Sequence, residues 1–242
     1  MHWRSAHASH VGLIRKINED ATLDRPDTGI WAVADGMGGH SAGDLASQML
    51  VEALGRLRPQ RDLSTLVEFA EHSILGVNER LLELSRLRRQ VIGSTIVTLL
   101  ACGRHCAFLW AGDSRLYRYR DGELAQLSTD HSQVERYVQM GLLARENVHL
   151  HPDSNLITRA VGASEPLYLD CDMAELRAGD RFLLSSDGLD KHVPPGEIAQ
   201  GMRQPDLQRA VDQLVDLALE RGGTDNVSVC LVEVSGDEPG GR

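Results

Sequence analysis

Apolar runs in this chain lead into, or follow, carboxylates set beside glycines, and that juxtaposition constrains the fold more than any other feature. Ile30-Trp31-Ala32-Val33-Ala34 leads into Asp35-Gly36-Met37-Gly38-Gly39-His40, and Phe182-Leu183-Leu184-Ser185 leads into Ser186-Asp187-Gly188. Val227-Ser228-Val229-Cys230-Leu231-Val232 follows Gly222-Gly223-Thr224-Asp225-Asn226, and a further acidic stretch stands at Asn18-Glu19-Asp20. Short apolar runs of this kind read as buried strands. Carboxylates at several strand ends can converge on one point, where they repel one another unless cations lie between them. Hard oxygen ligands suit Mg²⁺ or Mn²⁺. The pattern outlines a binuclear metal site.

The remaining elements can be placed around those strands. Residues 2–9 and 29–35 read as strands. Ser41 opens a helix whose apolar stripe runs through Ala42, Leu45, Ala46, Met49, Leu50, Ala53, Leu54 and Leu57. A second helix is expected over 63–87, and two successive amphipathic helices should pack as a pair on a sheet face. Residues 94–127 alternate like a β-meander, with runs at 95–102, 106–111 and 116–120 and turns at Gly103-Arg104-His105, Gly112-Asp113-Ser114 and Asp121-Gly122. Residues 131–162 are more polar, carry a helix near 133–140, and read as an insertion over the site. Strands return at 167–175, 181–186 and 226–234, with a helix over 207–221 that Gly222 ends. Few βαβ units occur, so the expected class is α+β with layered antiparallel sheets. No repeat or linker divides the 242 residues, and 42% hydrophobic content suffices for one large core. One domain is expected over residues 1–235, followed by a disordered tail over 236–242.

Charge and cysteine usage narrow the partners. A net charge of −10 disfavours nucleic acid and anionic membranes. No apolar run reaches membrane-spanning length, and Met1-His2-Trp3-Arg4-Ser5 has no signal-type apolar stretch. Cys102, Cys106, Cys171 and Cys230 make no secreted disulfide framework, so a reducing cytoplasm is expected.

In order along the chain stand Gly12-Leu13-Ile14-Arg15-Lys16-Ile17-Asn18-Glu19-Asp20, Asp35-Gly36-Met37-Gly38-Gly39-His40, Gly112-Asp113-Ser114-Arg115, Ser185-Ser186-Asp187-Gly188-Leu189 and Gly223-Thr224-Asp225-Asn226. Together they resemble the metal-dependent serine/threonine protein phosphatases, the PPM or type 2C class, in their compact bacterial form. The resemblance covers about residues 6–234. It implies a four-layer αββα sandwich of two antiparallel sheets flanked by helix pairs, with two Mn²⁺ or Mg²⁺ ions in a cleft at one end and often a third. The implied reaction is hydrolysis of phosphoserine or phosphothreonine in proteins by a water activated between the ions. The implied partners are a bacterial serine/threonine kinase and its substrates, met by a monomer.

On that resemblance Asp35 bridges both ions and the Gly36 carbonyl adds a ligand. Asp187 and Asp225 serve the second metal, and Asp20, with or without Glu19, acts there directly or through water. Asp113 with Asp187 matches the third-metal position. Arg15 is the candidate phosphate clamp, because its planar fork holds two oxygens at once. His40 has three open readings: it protonates the leaving seryl oxygen, orients a water on the metals, or braces the following helix. Asp190 is expected to play a supporting role at most.

Three other patterns fall away. Cys171 and Arg177 have the Cys-x₅-Arg spacing of thiol-based phosphatases, but Asp172 and Glu175 lie between them where a phosphate cradle needs free amides and a low thiol pKa. His149-Leu150-His151-Pro152-Asp153-Ser154 has Ser154 where a zinc histidine would stand, and Cys102 and Cys106 lack a second pair. A rival function is a binding or sensing module on the same fold with little catalysis, and a second is a small-molecule phosphatase. Loss of a ligand carboxylate would mark the former, and all of them are present.

Overall fold

The structure is a computed structural model and describes residues 1–38 and 42–236. In chain order its strands are β1 (His2–His10), β2 (Asp20–Arg25), β3 (Ile30–Met37), β4 (Gly93–Ser94), β5 (Ile96–Cys102), β6 (His105–Ala111), β7 (Arg115–Arg120), β8 (Glu123–Gln126), β9 (Asp170–Glu175), β10 (Arg181–Ser185) and β11 (Val227–Ser235). The helices are α1 (Ala42–Gly55), α2 (Leu63–Arg88), α3 (Gln133–Gln139), α4 (Asp187–Asp190), α5 (Pro195–Gly201) and α6 (Leu207–Glu220). One sheet has five strands in the order β1-β11-β10-β7-β8, and the other has six, with β2-β3-β5-β6-β9 in order and β4 paired to the end of β3. All pairings are antiparallel.

Burial on both faces explains why the apolar runs are continuous rather than alternating. In β3, Trp31 and Val33 face the other sheet, while Ile30, Ala32 and Ala34 pack under α1 and α2. In β10, Phe182 and Leu184 fill the space between the sheets and Leu183 packs beneath α6. In β11, Cys230 and Val232 point inward while Val229 and Leu231 face α6. The layers are therefore α1/α2, the six-stranded sheet, the five-stranded sheet and α5/α6, as expected.

Local chemistry sets the helix starts. The Asp62 carboxylate accepts from Thr65 N at 2.8 Å to begin α2, and Asp206 accepts from Gln208 N and Arg209 N at 3.0 and 3.1 Å to begin α6. Pro195 opens α5, a helix the sequence pattern did not reveal.

Two expectations need correction. The stretch 94–127 is not one meander. β5 and β6 form a hairpin in the six-stranded sheet, whereas β7 and β8 form a hairpin in the five-stranded one. Gly112-Asp113-Ser114 is thus a crossover between sheets. Gly112 makes the sharp turn at φ +117, where a Cβ would lie 2.6 Å from the Thr95 side chain. In addition, residues 20–25 form a strand, β2, that was not foreseen. It places Asp20 directly opposite Asp35.

The segment 131–162 is pinned at both ends. Antiparallel bridges join Ser132 to Ile157 and Ser94 to Val161. Between them lie α3 and a 3-10 turn at Arg145–Leu150. Of the tail expected over 236–242, residues 237–242 lie outside the described residues.

Phe182 is fully buried between the sheets. Phe182→Ala should lower unfolding free energy by about 3–5 kcal/mol with little change in m value, measurable by guanidinium titration.

Candidate metal centre

The five aspartates expected to hold metal come to the same end of the sandwich. Asp20 begins β2 beside Asp35 near the end of β3, while Asp113 sits in the β6–β7 crossover. Asp187 follows the end of β10, and Asp225 precedes β11. Ser185 pairs with Val229, so the end of β10 lies beside the start of β11.

Side-chain hydrogen bonds lock these loops to one another. Ser186 Oγ donates to Asp20 Oδ2 at 2.7 Å and accepts from Ser228 N at 3.0 Å. Asp35 N donates to Thr95 Oγ1 at 3.0 Å, and Thr95 Oγ1 lies 2.6 Å from Ser114 Oγ, which ties the Asp35 strand to the Asp113 crossover. Asn226 Oδ1 accepts from Glu19 N at 2.8 Å, while its Nδ2 donates to Val11 O and Ile17 O at 2.8 and 3.0 Å. The loop carrying Arg15 is thereby stitched to the loop carrying Asp225. Glu19 O accepts from Gly36 N at 3.1 Å and Ser47 Oγ at 2.6 Å, and Glu19 Oε1 accepts from Gly43 N at 3.2 Å. Glu19 therefore anchors α1 to the end of β3. Two glycines permit this crowding: a Cβ on Gly36 would lie 2.1 Å from Gly43 O, and one on Gly188 would lie 1.9 Å from Asn226 O.

The electrostatics are those of carboxylates forced together. Burial, reinforced by the charges of Asp187 and Asp225 and opposed by hydrogen bonds from Ser186 and Ser228, pushes Asp20 up to about 7. Burial and the charges of Asp187 and Asp130 push Asp113 up to about 7. Asp35 is raised well above the usual carboxylate range by burial and by Asp20, Asp187, Asp113 and Asp225. Burial raises Asp187 too, although Lys191 draws it part of the way back. At Asp225 burial is outweighed by Lys191 and Arg15, and the carboxyl is lowered.

Buried Oδ1 atoms of Asp20, Asp113 and Asp187 have no hydrogen-bond partner. Unsatisfied buried carboxylate oxygens are costly unless a cation meets them. The donor set is all oxygen, which suits Mn²⁺ or Mg²⁺. Among the described residues, no three Asp, Glu, His or Cys side chains close round a single point as a ready-made cage. Basic side chains of the chain stand between them instead. Lys191 Nζ lies 2.6 Å from Asp187 Oδ2 and 3.0 Å from Asp225 Oδ2. Arg15 Nε and Nη2 hold Asp225 side-on at 2.9 and 3.1 Å.

Arg15 therefore reaches the site, but its observed partner is Asp225. His40, Gly39 and the Ser41 cap lie outside the described residues. Lys191 and Thr95 escaped sequence reasoning, and Ser114, Ser186 and Asn226 stood in its motifs without a role. Asp190 does more than sit nearby: it takes Arg115 Nη1 at 2.9 Å, and Arg115 also grips Asp130 through Nε and Nη2 at 3.0 and 2.6 Å. This network joins α4, the β6–β7 crossover and the entry to the 131–162 segment. The one available signal was Arg115 itself, an arginine two residues after Asp113 in an acidic chain.

Asp113 has an ordinary value of 3.8 pushed up to about 7, so the stability it contributes to the metal-free fold is complete below pH 3.8 and lost as pH rises through about 7. Asp113→Asn removes that loss. In EDTA the variant should melt several degrees above wild type at about pH 8, and the gap should close toward about pH 4. Saturating Mn²⁺ should shrink or reverse the gap at pH 8. Scanning calorimetry at the two pH values checks this, and equal melting at pH 8 in EDTA would count against charge crowding at Asp113.

Known proteins share this fold. PppA of Pseudomonas aeruginosa, described as a key regulatory component of T6SS, is 43% identical and superposes with a TM-score of 0.90, covering 96% of this chain and 98% of that one. The catalytic domain of the serine/threonine protein phosphatase PstP in complex with two manganese ions is 34% identical with a TM-score of 0.87, covering 97% of this chain and 99% of that one. Full-length PstP of Mycobacterium tuberculosis is 35% identical over 233 residues, which are 96% of this chain but 45% of PstP, so the chain spans just under half the length of that relative. A family model described as protein phosphatase 2C matches residues 14–230. With the match running from the Arg15 loop to β11, the chain belongs to the protein phosphatase 2C family.

Proposed function

We propose that the chain hydrolyses phosphoserine and phosphothreonine esters in proteins with two Mn²⁺ or Mg²⁺ ions bound. The observation that carries this is the array of buried carboxylates with unpartnered oxygens at one end of the sandwich, beside an arginine held on a pinned loop. Asp35, the Gly36 carbonyl, Asp187, Asp225 and Asp20 would hold the two ions, and Asp113 with Asp187 would hold a third. The ions, when bound, supply Lewis acidity: they make water nucleophilic near neutral pH and offset charge growing on the phosphoryl group.

The chain's own residues do the rest. Asp225 engages Nε and one terminal nitrogen of Arg15, which orients the guanidinium and leaves its other terminal nitrogen for phosphate oxygens. Ser186, Thr95 and Asn226 keep the carboxylates in register, so little reorganisation remains for the reaction itself. A phosphate dianion arriving at a chain of net charge −10 needs a local positive field, and Arg15 and Lys191 supply it. In this reading residues 1–235 act as one catalytic domain, with 131–162 as a flap that touches substrate. It works as a cytoplasmic monomer and opposes a serine/threonine kinase. The likeness to PppA favours substrates in the regulation of secretion. The rival reading, a binding or sensing module with little catalysis, is disfavoured because each expected ligand carboxylate is present at the site.

Purified protein should release phosphate from a phosphothreonine peptide with Mn²⁺ or Mg²⁺ and not with EDTA. Asp35→Asn should abolish that turnover. Release by Asp35→Asn near the wild-type rate at saturating Mn²⁺ would overturn the assignment, and no release by wild type with either metal would favour the binding module. Arg15→Ala should raise KM for the peptide by about tenfold, equivalent to about 1.4 kcal/mol, with a smaller effect on kcat. An unchanged KM would show that Arg15 does not hold the phosphate.

A further inference from the structure

α4 is a single helical turn, so Lys191 lies four residues from Asp187 on the same side of it. The ammonium bridges Asp187 Oδ2 at 2.6 Å and Asp225 Oδ2 at 3.0 Å, across two loops that are 34 residues apart in sequence at the Lys191–Asp225 contact. Its side chain is only 28% exposed. The same two loops are clasped again nearby, where Thr224 N donates to His192 Nε2 at 3.2 Å and Arg221 Nη1 donates to His192 O at 3.0 Å. The segment would therefore stay beside the Asp225 loop without the lysine, so Lys191 is not needed merely to join the two.

What Lys191 does is charge work. An ammonium with three donors can meet both carboxylates at once, and the charge is what they need. One oxygen of Asp187 takes Lys191, and the other is buried without a partner. Asp187 is thus half-neutralised by the chain and half left for another cation.

We propose that Lys191 is a built-in counter-ion at the second metal position: it holds Asp187 and Asp225 together in the metal-free chain, must let them go when a divalent ion binds, and so sets how tightly that ion is held. This rests on the metal-dependent reading above. A cation bound only in the metal-free state stabilises that state and weakens metal binding by the same factor. Lys191 is then a positioning residue that trades metal affinity for a folded, uncrowded site when metal is scarce.

The test uses the full chain with Lys191→Met, which keeps the length of the side chain and removes its charge, and Lys191→Arg, which keeps the charge. Mn²⁺ affinity is read by titration calorimetry, and melting is read with EDTA and with saturating Mn²⁺. Lys191→Met should melt several degrees below wild type in EDTA, close to wild type in Mn²⁺, and bind Mn²⁺ about tenfold more tightly. Lys191→Arg should stay close to wild type in all three. A purely structural ion pair would give a different result: Lys191→Met would melt lower by the same amount with and without Mn²⁺ at unchanged affinity, and that would overturn the proposal. Unchanged or weaker Mn²⁺ binding by Lys191→Met, with wild type binding normally, would also overturn it. Failure of wild type to bind Mn²⁺ at all would instead sink the metal-dependent reading on which it stands.

Discussion

Mutual repulsion among carboxylates is the constraint on which this structure turns. Asp20 and Asp35 face one another across neighbouring strands, and Asp113, Asp187 and Asp225 close in from three further loops. Left to themselves, such groups would splay apart or take up protons. What prevents splaying is a frame of neutral hydrogen bonds, from Ser186 to Asp20, from Thr95 to the Asp35 strand and from Asn226 to the Arg15 loop. The fold spends core packing on holding charge in an unfavourable place, a repulsion that a divalent ion would relieve. Hydroxyls and an amide suit this role because they fix geometry without adding charge.

The frame also explains why the loops behave as one unit. Asn226 is buried and has three backbone partners among residues 11, 17 and 19. Glu19 in turn anchors α1 through Gly43 and Ser47. Asn226 and Glu19 thus link the Asp225 loop to the first turn of α1. Arg115 performs the same service on the other side by tying Asp190 and Asp130 to the crossover that carries Asp113.

Much of this was legible in the sequence. Asp35 and Asp187 each follow a run buried on both faces, and such runs are conspicuous because no polar residue interrupts them. The two-helix layer was equally plain from its apolar spacing. β2 escaped notice because Asp20, Asp24 and Arg25 make it look like loop. In the fold Asp24 is satisfied by Ser5 Oγ at 2.5 Å and Trp31 Nε1 at 3.0 Å, contacts that only tertiary structure creates. The turn at 112–114 has the chemistry of a hairpin, and whether the chain turns back or crosses to the other sheet is decided by packing, not by turn residues. Lys191 was invisible for a similar reason, since its second partner is supplied by a distant loop.

The pairing of β1 with β11 has a geometric consequence. Their register sets His10 beside Val227 at the carboxylate end and His2 beside Ser235 at the other. Nine-residue strands separate those ends by roughly 26 Å at the usual rise of a strand. A reporter or a second module joined before β1 or after β11 would therefore start at the end of the sandwich opposite the carboxylates and leave the carboxylate end uncovered.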